Sequence, residues 1–301
     1  MPSTSPPPSV DPASSSSPGD VAPELVAEAH RVLRQLVSTH APERIGVSFN
    51  GGKDSMVTVH LLVAAVGEAL VRRMVFFVFD SPDEFPELRE FRDAEAARLG
   101  VKLVVVPGPS RDALWRLHRE LGLEAAVVGM RRADPSGAWL KSNVTPCTAG
   151  WPPMTLYLPV LEWGVPEVWD YTRARAVPFC ALYAQGYTSL GPRHETTPNP
   201  ALEDPQRPGV FRPAWEMRDT ALERASRGSS VLSTPTPHTA RGGAVSPNSA
   251  VANAAAGPAA ASDVEATTPL ASSVDSTPGA TPAVSSPASP DAPLPASSSR
   301  L

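Results

Sequence analysis

The chain has only two cysteines, Cys147 and Cys180, in 301 residues. They form no CxxC pair and no metal-ligand spacing. This excludes a zinc knuckle or a dithiol redox motif, and two thiols are too few for a disulfide scaffold. A reducing, cytoplasmic setting is the expectation that follows. Aromatic residues stop at Trp215, and neither Ile nor Met occurs beyond Met217. A stretch so poor in apolar groups cannot offset its ordering entropy. Disordered tails are therefore expected at 1–20, which is mostly Ser and Pro, and at 229–301, which is Ala, Ser, Pro and Thr. No apolar run is long enough to span a bilayer. The start of the chain lacks a basic segment followed by a hydrophobic one, and no Arg precedes Arg31, so neither a secretory nor a mitochondrial leader is expected. A formal net charge of -5 argues against a general nucleic-acid-binding surface. What remains is a domain over 21–203 with a C-terminal arm over 204–228, expected to be monomeric, with small-molecule partners and neither membrane nor nucleic acid among them.

Within that domain, strand-like and helix-like segments alternate. "PELVAEAHRVLRQLV" sets Leu25, Ala29, Val32, Leu33 and Leu36 on one helical face, with Pro23 suited to a first turn. "RIGVSF" then reads as a strand, "SMVTVHLLVAAVGEAL" as a helix and "MVFFVFD" as a buried strand. "ELREFRDAEAARLG" reads as a helix stopped at Gly100. "VKLVVVP", "RDALWRLHRELG" and "EAAVVGM" continue as strand, helix and strand. Such alternation predicts an α/β fold, a doubly wound parallel sheet with helices on both faces. In such sheets ligands bind beyond the carboxyl ends of the strands, near the point where strand order reverses.

The loop after the first strand is Asn50-Gly51-Gly52-Lys53-Asp54, leading into a helix at Ser55. Glycines permit positive φ and close approach to a ligand. Successive N–H groups ahead of a helix N-terminus make an anion nest, to which Lys53 adds a mobile cation. Asp54 would repel a phosphate unless Mg²⁺ bridged the two. This is not a Walker A loop, because Val47 stands where that pattern needs glycine and Asp54 where it needs Ser or Thr. The alternative is an ordinary glycine turn capped by Asp54 and Ser55. Asp80 ends the second strand, placed either to contact a ribose or to cap the next turn. Trp115, Trp139, Trp163 and Trp169 read as packing residues, His60 as packed or exposed, and His118 as surface.

Ser48-Phe49-Asn50-Gly51-Gly52-Lys53-Asp54-Ser55 resembles the pyrophosphatase loop of the adenine nucleotide α-hydrolase-like superfamily. Its S-x-N-G-G-K-D form resembles that of the eukaryotic-type FAD synthases, or FMN adenylyltransferases, relatives of the phosphoadenylylsulfate reductases. Four further stretches agree in order: "DSPDEFPELREF", "GMRRADP", "LYAQGYTSLG" with "TPNPAL", and "RPAWEMRDTALERASR". The resemblance covers most of 41–227 and implies adenylyl transfer from MgATP to FMN, with FAD and pyrophosphate as products. It implies that Gly51, Gly52 and Lys53 cradle pyrophosphate, flanked by Ser48 and Ser55. Asn50, Asp54 and Asp134 are implied as functional residues, with Asp54 and Asp134 holding Mg²⁺, and Arg131 as a charge-neutralising group. Arg224 and Arg227 are expected to share a helical face and reach phosphates, against the alternative of a basic helix end. Ser226 stands where the family has glycine.

One segment departs from the family. Its T-D-x-x-W-P-x-F-M-R stretch, which serves the flavin, is here "CTAGWPPMTL". Aligned on Trp151-Pro152, Thr148 replaces the Asp and Leu156 replaces the Arg. Arg132, Thr148, Trp151 and Leu156 are accordingly expected around the flavin, in an altered pocket. Three other readings compete: an adenylylsulfate-type reductase, which needs a C-terminal cysteine where none follows Cys180; a non-catalytic nucleotide binder; and another enzyme of the superfamily acting on a different acceptor.

Overall fold

The computed structural model describes residues 21–227; the two tails expected from composition lie outside the described residues. The chain opens with α1 (Pro23–Thr39), entered through Pro23. It continues as β1 (Ile45–Ser48), α2 (Lys53–Val66), α3 (Glu68–Val71), β2 (Val75–Phe79), α4 (Pro86–Leu99), β3 (Leu103–Val106), α5 (Ser110–Leu121) and β4 (Ala125–Val127). These are the expected strands and helices, with two local differences. The helix after the glycine loop begins at Lys53, not Ser55. It also stops at Gly67, whose φ of 85° breaks the helix and starts the short α3.

The sheet has six strands in the order β3-β2-β1-β4-β6-β5. All neighbours pair in parallel except β5 (Val144–Pro146), which turns back antiparallel onto β6 (Thr155–Tyr157) at the edge. Alternating residues divide between two cores, as the pleat dictates. Phe76, Val127 and Tyr157 face α1, α2 and α6 (Val165–Ala174). Phe77, Ala126, Val128 and Leu156 face α5. The apolar stripe of α1 behaves as its spacing predicts, with Ala29, Val32, Leu33 and Leu36 fully buried. Each such large aliphatic side chain contributes about 1.5–3 kcal/mol relative to exposure.

Beyond α6 the chain runs as 3₁₀ turns and loops to Arg227. An edge-to-face cluster of Trp169, Phe179, Tyr183 and Trp215 holds this segment against the domain. The expected C-terminal helix does not form. Residues 223–226 are turns, and Arg227 makes an isolated antiparallel bridge with Thr196. Arg224 and Arg227 therefore do not share a helical face. Trp139 is a second correction: it is 72% exposed, whereas Trp163 and Trp169 are core. No helix among the described residues is long and apolar enough to cross a membrane.

Candidate active site

Strand order reverses between β1 and β4, which lie side by side in the sheet centre. The loops leaving their carboxyl ends meet there, as the rule for open α/β sheets requires. Gly51 takes a φ of 77°, and a Cβ on it would lie 2.9 Å from Arg92 Cβ, so only glycine fits this turn. The turn delivers Lys53 and Asp54 as the first residues of α2. On the facing side, Arg131 and Asp134 come from the turn after β4, where the Arg131 N–H donates to Asp134 Oδ2 at 2.8 Å.

A small cleft of about 60 Å³, open to solvent, lies between them. Of the sequence candidates, Asn50, Gly52, Lys53, Asp54, Arg131, Asp134 and Arg224 line it. Glu223, Tyr183 and Ser189 join them, all from the last two motifs and none singled out from sequence alone. Ser48 and Ser55 instead knit the loop, the Ser55 hydroxyl donating to Ser48 O at 3.3 Å, with both side chains buried. Asp80 is exposed beside a different cleft, near Arg89 and Arg92. Arg227 lies over Gly191, its Nη1 3.5 Å from Ser189 Oγ, and burial together with Arg224 pushes its pKa down to about 10.

The expected flavin residues are not brought to this cleft. Arg132 is half-exposed, pairs with Glu162 and donates to Leu140 O at 2.6 Å. Leu156 is fully buried in the core facing α5, paired in register with Ala126 and Thr145. Trp151 packs against that same core, and Thr148 is a half-buried residue of the preceding turn whose carbonyl accepts from the Trp151 N–H at 3.1 Å.

The electrostatics are dense. Arg131, 1% exposed, sets Nε 2.8 Å from Asp54 Oδ1 and Nη2 2.5 Å from Glu223 Oε2. Lys53 Nζ lies 2.9 Å from Asp54 Oδ2 and also pairs with Glu223 Oε1. With Arg224, three cations face three carboxylates. Burial alone would favour the neutral forms, yet the pairing wins at three positions. The Lys53 and Arg131 pKa values are raised by Asp54 and Glu223, and that of Asp54 is lowered by Arg131 and Lys53. Asp134 goes the other way: burial, then Asp54 and Glu223, raise its pKa against the pull of Arg131. Three buried guanidinium nitrogens stay without a hydrogen-bond partner among the described residues: Arg131 Nε, which has only its ion pair with Asp54, Arg131 Nη1 and Arg224 Nε. Such groups are costly unless an anion is received there.

The glycine loop differs in detail from a free anion nest. The Gly52 N–H donates to Asn50 Oδ1 at 2.9 Å, and the Lys53 N–H donates to the Tyr183 hydroxyl at 3.0 Å. The hydroxyl caps the helix in the absence of a side-chain cap at Gly52, and burial pushes the Tyr183 pKa up to about 12. Both cysteines sit in apolar surroundings. Burial raises the Cys147 thiol to about 11 and raises Cys180 as well, the opposite of an activated thiolate.

The phosphoadenosine phosphosulfate reductase domain matches residues 44–118 and 108–198. A probable FAD synthase of Schizosaccharomyces pombe is 34% identical over 210 residues, covering 67% of this chain and 78% of the relative. A probable FAD synthase of Caenorhabditis elegans is 34% identical over 205 residues, and there the chain spans only 40% of the relative's length. The crystal structure of Candida glabrata FMN adenylyltransferase superposes with a TM-score of 0.63 at 23% identity, over 68% of this chain and 86% of that one, a likeness of fold.

Proposed function

This chain belongs to the FAD synthase family, and from that membership we propose that it transfers the adenylyl group of ATP to FMN, giving FAD and pyrophosphate. A phosphate oxygen of FMN attacks the α-phosphorus of ATP, and the bond from that phosphorus to the bridging oxygen of the β-phosphate breaks. Pyrophosphate carries the electron pair away. Such a transfer asks the protein for position and charge compensation more than for covalent chemistry.

The observation that carries this reading is the meeting of Lys53 and Asp54 with Arg131 and Asp134 at the β1/β4 switch point. Lys53 compensates charge on the leaving pyrophosphate. The unpartnered Arg131 Nη1 and Arg224 Nε are donors for phosphate oxygens. Asn50 orients the loop by holding the Gly52 N–H. The donor set suits Mg²⁺, which takes one or two carboxylates and shares the rest of its shell with phosphates and water. Asp134, its pKa raised by burial and then by Asp54 and Glu223, meets the Arg131 guanidinium only at 3.9 Å. Asp54 and Asp134 would hold the ion, which would supply charge neutralisation along the triphosphate. Residues 21–227 contain all of this machinery. A reductase is disfavoured by its lack of an activated thiol.

The test is Asp54→Asn and Asp134→Asn, each assayed for FAD formation at saturating Mg²⁺. Each is expected to abolish turnover. Near-normal rates in either variant with its fold intact would remove that carboxylate from the site.

A further inference from the structure

We propose that Glu223 is a positioning residue for this reaction. Its carboxylate fixes the Lys53 ammonium and the Arg131 guanidinium so that each presents one defined donor face to the nucleotide. The inference rests on the adenylyl-transfer reading above and assigns a role to a buried carboxylate that the reading itself does not use.

Glu223 is 3% exposed, yet it stands on a turn rather than on a helix or strand. Its backbone is therefore held from outside. The Thr188 hydroxyl donates to Glu223 O at 2.6 Å. The Asn199 amide donates to Thr188 Oγ and to Leu222 O, each at 2.8 Å. The 188 and 199 segments thus hold the backbone of the turn that carries the carboxylate. That carboxylate divides its oxygens, Oε1 to Lys53 and Oε2 to Arg131. The division sets the contacts of Arg131: Nη2 hydrogen-bonds Glu223, Nε lies in an ion pair with Asp54, and Nη1 is left without a hydrogen-bond partner among the described residues. A planar guanidinium held at two of its edges has its third edge fixed as well. Lys53, on a flexible four-carbon stem, would otherwise sample many rotamers. Holding it between Asp54 and Glu223 pays that entropy before substrate arrives.

Charge makes the idea separable from mere scaffolding. Three cations face three carboxylates in the cleft, so Glu223→Gln leaves a surplus positive charge while nearly preserving shape. Attraction for a polyphosphate is kept or strengthened, but the orientation of both donors is lost. The expected result is a kcat lower by roughly 10²-fold, the scale of a misplaced catalytic group. MgATP binding by calorimetry should be undiminished. Glu223→Asp keeps the charge but is one methylene short, and should recover part of the rate. Thr188→Val loosens the turn without altering the charge, and should lower kcat in the same sense but less.

A Glu223→Gln protein with wild-type kcat overturns the proposal. So do parallel losses of kcat, ATP affinity and melting temperature with no recovery in Glu223→Asp, since that is the pattern of a purely structural residue. If Glu223→Gln does not fold, the other two variants decide: full kcat in both is contrary, and reduced kcat with ATP affinity held is supportive. A wild-type protein that makes no FAD refutes the adenylyl-transfer reading by itself. Titration with magnesium pyrophosphate then judges Glu223, with undiminished binding by a folded Glu223→Gln supporting the assignment and weakened binding opposing it.

Discussion

Gly129 is where the two halves of the cleft touch. It follows β4 and opens the "GMRRADP" stretch. A Cβ placed on it would lie 2.7 Å from Asp54 O, 2.8 Å from Asp54 C and 2.9 Å from Ser55 N. These are backbone atoms in the first turn of α2, so no side chain can swing away to relieve the contact. Non-bonded atoms rest at roughly 3.5 Å, and Gly129→Ala therefore forces about 0.8 Å of separation between the β4 loop and α2. Asp54 moves away from Arg131 and Asp134 by a similar amount. A displacement of that size at a catalytic constellation costs roughly 10²-fold in rate, about 2.7 kcal/mol of barrier. Overpacking also costs about 1–3 kcal/mol of stability, which in a domain of this size lowers Tm by about 2–10 °C. Gly67→Ala is the control. Nothing lies within 4 Å of its Cβ, but its φ of 85° with ψ of 150° strains any other residue, by about 1–3 kcal/mol. Both variants should melt early, and only Gly129→Ala should lose turnover when FAD formation is followed at saturating ATP and FMN well below the melting transition. A Gly129→Ala enzyme within about twofold of wild type would refute the argument that this contact sets the site geometry.

Two further outcomes follow from other positions. Leu156→Arg, which would restore the family's residue, buries an unpaired guanidinium in the core facing α5; a cost of several kcal/mol should lower Tm by about 10 °C or more without tightening FMN, and a stable variant with improved FMN binding would place the flavin against β6 after all. His194 donates its backbone N–H to Asp83 Oδ2 at 3.0 Å and pairs with both Asp83 and Glu195, tying the loop after β2 to the loop near Gly191. The hydrogen bond to Asp83 raises the His194 pKa above 6.5, so the pair's stabilisation is complete below 6.5 and lost as pH rises through the raised value. The Tm gap between wild type and His194→Asn should close over that interval, and a gap that persists above it, or an NMR titration of His194 below 6.5, would contradict the assignment.

The fold was legible because strands buried on both faces read as continuous apolar runs, "MVFFVFD" most clearly, and because helices between them carry one apolar face. Four parallel strands followed from that rhythm alone, whereas the adjacency of β1 and β4 at the switch point was implied only by the family resemblance. The β5–β6 hairpin did not, because three-residue strands, one of them ending in Pro146, carry no periodic signal. The arm expected over 204–228 was misread as helical near its end. Its hydrogen bonds are turn-type, and its packing comes from aromatic contacts of Trp215 with Trp169 and Phe179 that no local pattern encodes. Within the site, charged residues after strands were visible at once. Glu223 and Tyr183 were not, because each acts through a partner more than a hundred residues away: the Tyr183 hydroxyl meets the Lys53 N–H across 130 positions, and Glu223 meets Lys53 across 170. Their only sequence signal was membership of the two C-terminal motifs. Thr148 and Leu156 do not line the described cleft, for the complementary reason. Alignment on Trp151-Pro152 identified them, but the sheet register buries Leu156.

The most direct test uses ATP labelled at the α-phosphorus, incubated with Mg²⁺, FMN and the full chain, with products separated by chromatography. The account predicts that label enters FAD, that one pyrophosphate appears per FAD, and that no label leaves ATP when FMN is omitted. Label released as AMP whether or not FMN is present, or bound ATP that yields no FAD, would contradict it.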